Sequence, residues 1–151
     1  MKNAKPRMWI WTFVVVELVG LSVDAFWHFL LEPEFEGESV REMARHLATV
    51  HLLLYLGVLG LLVSTTWALI GRARQSGVGL ALPVMVGGAA IQTAGEVWHA
   101  YSHLHLRPNS APEVIGFLGL AAVIAALLLS HGKVEAPSHE SAPHHAPPGG
   151  I

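Results

Sequence analysis

The sequence predicts an all-α integral membrane protein, a bundle of four transmembrane helices. Long apolar runs are the first reason. Of 151 residues 52% are hydrophobic and only 13% charged, and the mean hydropathy is +0.48, too apolar for an ordinary soluble domain. The second reason is length: spans at about 9–31, 46–70, 80–103 and 112–130 each approach the ~20 residues that cross ~30 Å of hydrocarbon. The third is that ionisable residues inside these runs fall at helical spacing.

The first run follows a basic segment, Lys2, Lys5 and Arg7. A signal peptide would share that feature. However, Glu17 and Asp24 interrupt the apolar stretch and no A-x-A-like site closes it, so the run reads as a transmembrane helix. Ser39-x-x-Glu42 has the capping-box pattern and starts the second helix outside the membrane. Pro83 sits in the first turn of the third, where proline is tolerated. Ser110-x-x-Glu113, with Pro112 in the first turn, starts the fourth. Residues 1–131 thus form one transmembrane domain. Residues 132–151 are rich in Pro, Ser, Gly and His and read as a disordered tail. His139, His144 and His145 of that tail could capture metal.

Orientation follows from Lys and Arg. Lys2, Lys5, Arg7, Arg72, Arg74 and Lys133 fall on one side, against Arg41, Arg45 and Arg107 on the other. The positive-inside rule then places both termini in the cytoplasm of an inner or plasma membrane. The first external loop is acidic, with Glu32, Glu34, Glu36, Glu38 and Glu42. A net charge of −2 gives no footprint for nucleic acid. The absence of cysteine excludes disulfides, thiolate ligands and Cys nucleophiles.

Three spans carry the chemistry. Glu17, Asp24 and His28 are spaced i, i+7, i+11, and Gln92, Glu96, His99 and His103 are spaced i, i+4, i+7, i+11. Each set lies on one helix face. His46 and His51 are five apart, about 140° around a continuous helix, so one of them is expected to face the site. Because successive helices alternate in direction, Asp24, His28, His51, Glu96, His99 and His103, with His46 as an additional candidate, all fall toward the outer face. Ionisable groups inside a bilayer are costly and mark function by default.

Imidazole with carboxylate and no thiolate suits iron, copper(II), zinc or manganese. His99-x-x-x-His103 can chelate one ion from one helix face. Glu96-x-x-His99 has the spacing that di-iron carboxylate bundles use. Asp24-x-x-x-His28 resembles, over five residues, the copper-site spacing of the membrane subunits of particulate methane monooxygenases. Six side chains exceed the needs of one tetrahedral zinc. The set therefore implies one or two non-haem ions, with Glu17 and Gln92 as a proton path or supporting shell.

The expected function is a membrane metalloprotein, in one version a redox enzyme acting on a lipidic or small substrate. Three alternatives stand beside it: a b-type haem electron carrier, with pairs such as His51 and His99 as axial ligands; a metal transport or delivery protein; and a zinc-dependent hydrolase. The expected partners are the lipid bilayer and a homo-oligomer or larger membrane complex. Trp9, Trp11, Trp27, Trp98 and Tyr101 read as interfacial anchors, His105 as an interfacial loop residue, and the fourth helix as scaffold.

Overall fold

The computed structural model describes residues 4–31, 38–74, 79–107 and 109–131. The tail with His139, His144 and His145, and Glu32, Glu34 and Glu36 of the acidic loop, lie outside the described residues. All regular structure among the described residues is helical. Helix α1 covers Ala4–Phe26 and runs into a π-helical turn at Trp27–Leu31. The others are α2 (Val40–Thr49), α3 (Leu52–Ala73), α4 (Ala81–Leu104) and α5 (Ala111–His131).

Three segments are long and apolar enough to cross a membrane: Pro6–Leu31, Leu52–Ala73 and Ala111–Ser130. Helix α4 is equally long, with 24 residues, but Gln92, Glu96, His99 and His103 reduce its hydropathy. Four crossings, as the sequence suggests, therefore depend on α4 being carried by its neighbours.

The expected second span, 46–70, is corrected. It is two helices, broken at Val50 and His51. Helix α2 is short and amphipathic, and the apolar helix begins only at Leu52. The Ser39 cap is present, since its Oγ accepts from the Glu42 N–H at 3.3 Å. Glu42 Oε2 in turn accepts from the Glu38 N–H at 3.1 Å, one residue earlier than the reciprocal bond of a capping box.

Glycines set the helix pairing. A Cβ on Gly57 would lie 2.6 Å from Glu17 Cα, so α1 and α3 touch backbone to backbone. A Cβ on Gly119 would lie 2.5 Å from Gly88 O, and one on Gly95 would lie 2.8 Å from Gly116 N. The matching positions (13 with 60, 17 with 57, 20 with 54; 88 with 119, 95 with 116) run in opposite senses, so both pairs are antiparallel. Small residues at membrane-helix contacts allow this approach. The α1–α3 and α4–α5 interfaces are the most extensive, and α3 meets α4 to join the pairs. Ile10, Val14, Leu61, Met85, Ala89, Leu120, Val123 and Leu127 form the apolar core. The outward faces carry Leu18, Leu56, Val63, Trp67, Phe117 and Leu129 in the open, as a lipid-facing surface requires.

Candidate metal centre

The polar groups gather where α1 ends and α3 begins. Asp24, His28, His46 and His51 each present one ligand atom, and these four atoms lie within 4.8 Å of one another. His51 Nε2 stands 3.3 Å from Asp24 Oδ1, His28 Nε2 stands 3.4 Å from the same oxygen, and His46 Nε2 stands 3.2 Å from His51 Nε2. Ligands at about 2.0–2.1 Å from a tetrahedral ion are about 3.4 Å apart. Three edges of the group therefore already have the spacing that a shared ion would impose. The donor set, three imidazoles and one carboxylate, could hold a metal.

Two departures from regular α-helix make this possible. His28 lies in the π-helical turn, a wider winding that recurs at functional sites. His51 has φ −88° and ψ 0°, the bridge region where many site residues sit. That residue turns the chain between α2 and α3. The Val50 N–H still bonds His46 O at 2.8 Å, and the Tyr55 N–H bonds His51 O at 2.9 Å. On an unbroken helix one of His46 and His51 would point away. The break brings both to one point, which corrects the expectation that a single one faces the site.

Burial is graded across the group. The side chain of His51 is 2% exposed, that of Asp24 23% and that of His28 34%, so the group is reached from the His28 side. Trp27 covers it, its ring centroid 4.3 Å from that of His46 and 5.0 Å from that of His28. The indole thus contacts the site, a role beyond interfacial anchoring. His46 and His51 precede the spanning part of α3. Burial first, then neighbouring histidines, pushes His46 down to about 4 and His51 down to about 3. Both are neutral at pH 7 with a lone pair available, the form that binds metal.

The remaining predicted residues are placed beside this group rather than in it. His99 and His103 of α4 stack one turn apart, with ring centroids at 4.3 Å. The His99 ring is 5.3 Å from that of His51, and the His103 ring 6.4 Å from that of His46. Glu96 turns toward α5, where a Cβ on Gly116 would lie 3.0 Å from its Oε1. Glu17 and Gln92 are both buried and bond each other, the Gln92 amide donating to Glu17 Oε1. Deeper still, the Ser64 and Thr65 hydroxyls donate to Leu61 O of their own helix. His105 caps α4, its Nδ1 2.8 Å from Tyr101 O.

Two residues near the site were not among the predicted site residues. Glu113, read as part of a capping box, brings Oε1 to 3.6 Å from His99 Nδ1. The first N–H of α5 is served by Asn109 Oδ1 at 2.9 Å, and through Glu113 the last spanning helix, α5, meets His99 and is more than scaffold. Tyr55 stacks on His51 with centroids 5.8 Å apart. Its one-turn spacing from His51 was the available clue. Tyr55, Val58, Thr93, Glu96 and Val97 line a groove of about 250 Å³ between α3 and α4.

Comparison with protein-family models, with curated proteins and with solved structures gives no match for this chain.

Proposed function

We propose that this chain is an integral membrane metalloprotein holding a non-haem transition-metal ion on Asp24, His28, His46 and His51, close to one membrane face. The observation that carries this reading is the run of 3.2, 3.3 and 3.4 Å separations among ligand atoms from three chain segments. Imidazole with one carboxylate favours iron, copper(II) or zinc. A divalent ion with one Asp leaves a local charge of about +1, which the nearby Glu96 and Glu113 offset electrostatically.

Four protein donors would close a tetrahedral zinc, as in structural sites. A five- or six-coordinate iron or copper would keep positions open for a substrate. The redox version of the function therefore goes with those metals, and a purely structural or delivery role with zinc. When bound, an open-coordinate ion supplies a site for electron transfer to a bound molecule. The groove between α3 and α4 gives a lipid-soluble substrate a lateral approach. The Gln92 amide, donating to Glu17 Oε1 below the site, ties α1 to α4.

The haem reading is less well supported. A porphyrin needs a flat slot around its axial histidines, and His51 Nε2 already has Asp24 and His46 within 3.3 Å. Transport is also disfavoured, because the buried hydroxyls below Gln92 are bonded to their own helix. By the charge bias the site faces outward with both termini in the cytoplasm, and a homo-oligomer or larger complex fits the exposed apolar faces.

The test is metal analysis of the full chain in detergent, stripped and then reloaded with iron(II), copper(II) or zinc(II). At least one tightly held ion per chain is expected, with one lost in His51→Ala. Less than one ion in the parent protein, or no loss in the variant, overturns the reading. A Soret band in the purified protein would revive the haem alternative.

A further inference from the structure

The geometry points to a second metal position beside the first, held by His99 and His103 of α4 and Glu113 of α5, so that this end of the bundle is a two-metal centre. The inference rests on the reading of Asp24, His28, His46 and His51 as a metal site. What is new is the ligand set of a separate ion, and the recruitment of α5 through Glu113.

His99 is the decisive residue. It is 6% exposed, and neither of its ring nitrogens has a hydrogen-bond partner. His103 Nδ1 is buried and unpartnered as well. Buried imidazole nitrogens are normally satisfied, and leaving them unpaired is unfavourable. Glu113 Oε1 stands 3.6 Å from His99 Nδ1, too far for a hydrogen bond. It is close to the separation of two ligands on one ion.

The arrangement is built by the helices. His99 and His103, four apart, form a chelating pair on one face. Glycines bring α5 against that part of α4: a Cβ on Gly95 would lie 2.8 Å from both Pro112 O and Gly116 N. That approach delivers Glu113 from the first turn of α5 to His99, with His103 one turn along the same helix face. The Glu113 side chain is 51% exposed, so the position can be filled from outside. Glu96 lies within electrostatic range of both Asp24 and Glu113. Two divalent ions would supply the positive charge that three clustered carboxylates favour. The ligand class is a divalent first-row ion with mixed nitrogen and oxygen preference, such as iron(II), manganese(II), cobalt(II) or zinc(II).

Cobalt(II) binding to the stripped full chain in detergent, followed by visible absorption and by metal content, tests the inference through differences between variants. His51→Gln is expected to lose one ion, the double variant His99→Gln/His103→Gln one ion, and the triple variant two. Glu113→Gln, a near-isosteric change at a half-exposed position, is expected to weaken the second ion by about tenfold or more. Unchanged stoichiometry in the α4 double variant, or loss of both ions there, overturns the second position. If His51→Gln loses one ion while the α4 variant loses none, this inference fails and the first site stands. If His51→Gln also loses none, the metal reading of the first site fails with it.

Discussion

His51 joins three of the four ligand residues, because its Nε2 contacts both Asp24 and His46. Changes outside a metal's immediate ligands typically cost about 10–100-fold in affinity. His51→Ala should therefore cost at least about a hundredfold, measurable by competition with a chromophoric chelator. The same histidines set a pH response. His46 is pushed down to about 4 by burial, then by His28 and His103, from an unfolded value near 6.5. The unfolded chain then binds more protons than the folded one between those values, so stability of the metal-free protein falls as pH drops from about 6.5 to about 4. Thermal unfolding in detergent should show this fall, and His46→Gln should make it shallower. A profile flat across that window in the parent protein would contradict the burial of His46.

At the scale of elements, helix ends and helix contacts carry the testable energetics. Helix α4 closes with the Arg107 N–H bonded to Ser102 O at 2.9 Å and the Leu106 N–H to His103 O at 3.0 Å, the pair of bonds of a Schellman motif. Leu106 holds φ 52° there, a left-handed conformation that costs a residue with a Cβ about 1–2 kcal/mol. Leu106→Gly should therefore stabilise the protein by up to about 1 kcal/mol, read as a higher unfolding midpoint in detergent. The opposite sign is expected where helices touch. A methyl on Gly57 would meet the Glu17 backbone, and overpacking of this kind costs about 1–3 kcal/mol. Gly57→Ala should lower the midpoint and loosen α1 from α3, moving Asp24 relative to His51 and weakening metal binding as well. A variant with unchanged midpoint and affinity would show that the α1–α3 contact does not hold the site.

For the whole molecule, α4 is expected to cross the bilayer with the three apolar segments. The chain contains no cysteine, so single-cysteine variants report topology without background. Cysteine at Arg74, just after α3, should be labelled from the cytoplasmic side, and cysteine at Asn109 or Ser39 from the external side. Labelling of positions 74 and 109 from the same side would mean that α4 does not cross, and three spans would remain. Ligand binding to the folded state should also stabilise the whole bundle, by about 2.7 kcal/mol at a free metal concentration a hundred times the Kd. That gain should be absent in the His51→Ala variant.

Periodicity alone determined the helical class, the order of the long helices, and the placing of Asp24, His28, His99 and His103 toward one end. It could do so because hydropathy and 3.6-residue spacing are local properties, and helix alternation converts them into depth. The pairing of Glu17 with Gln92 was half visible, since each lay on its own polar stripe. What only the tertiary structure decided is which groups meet. The break at Val50 and His51 joins His46 to His51, the π-helical turn holds His28, and the glycine contact of α4 with α5 brings Glu113 to His99. Each of these depends on backbone departures or on close approach between distant segments, and a regular helix drawn on the sequence contains neither.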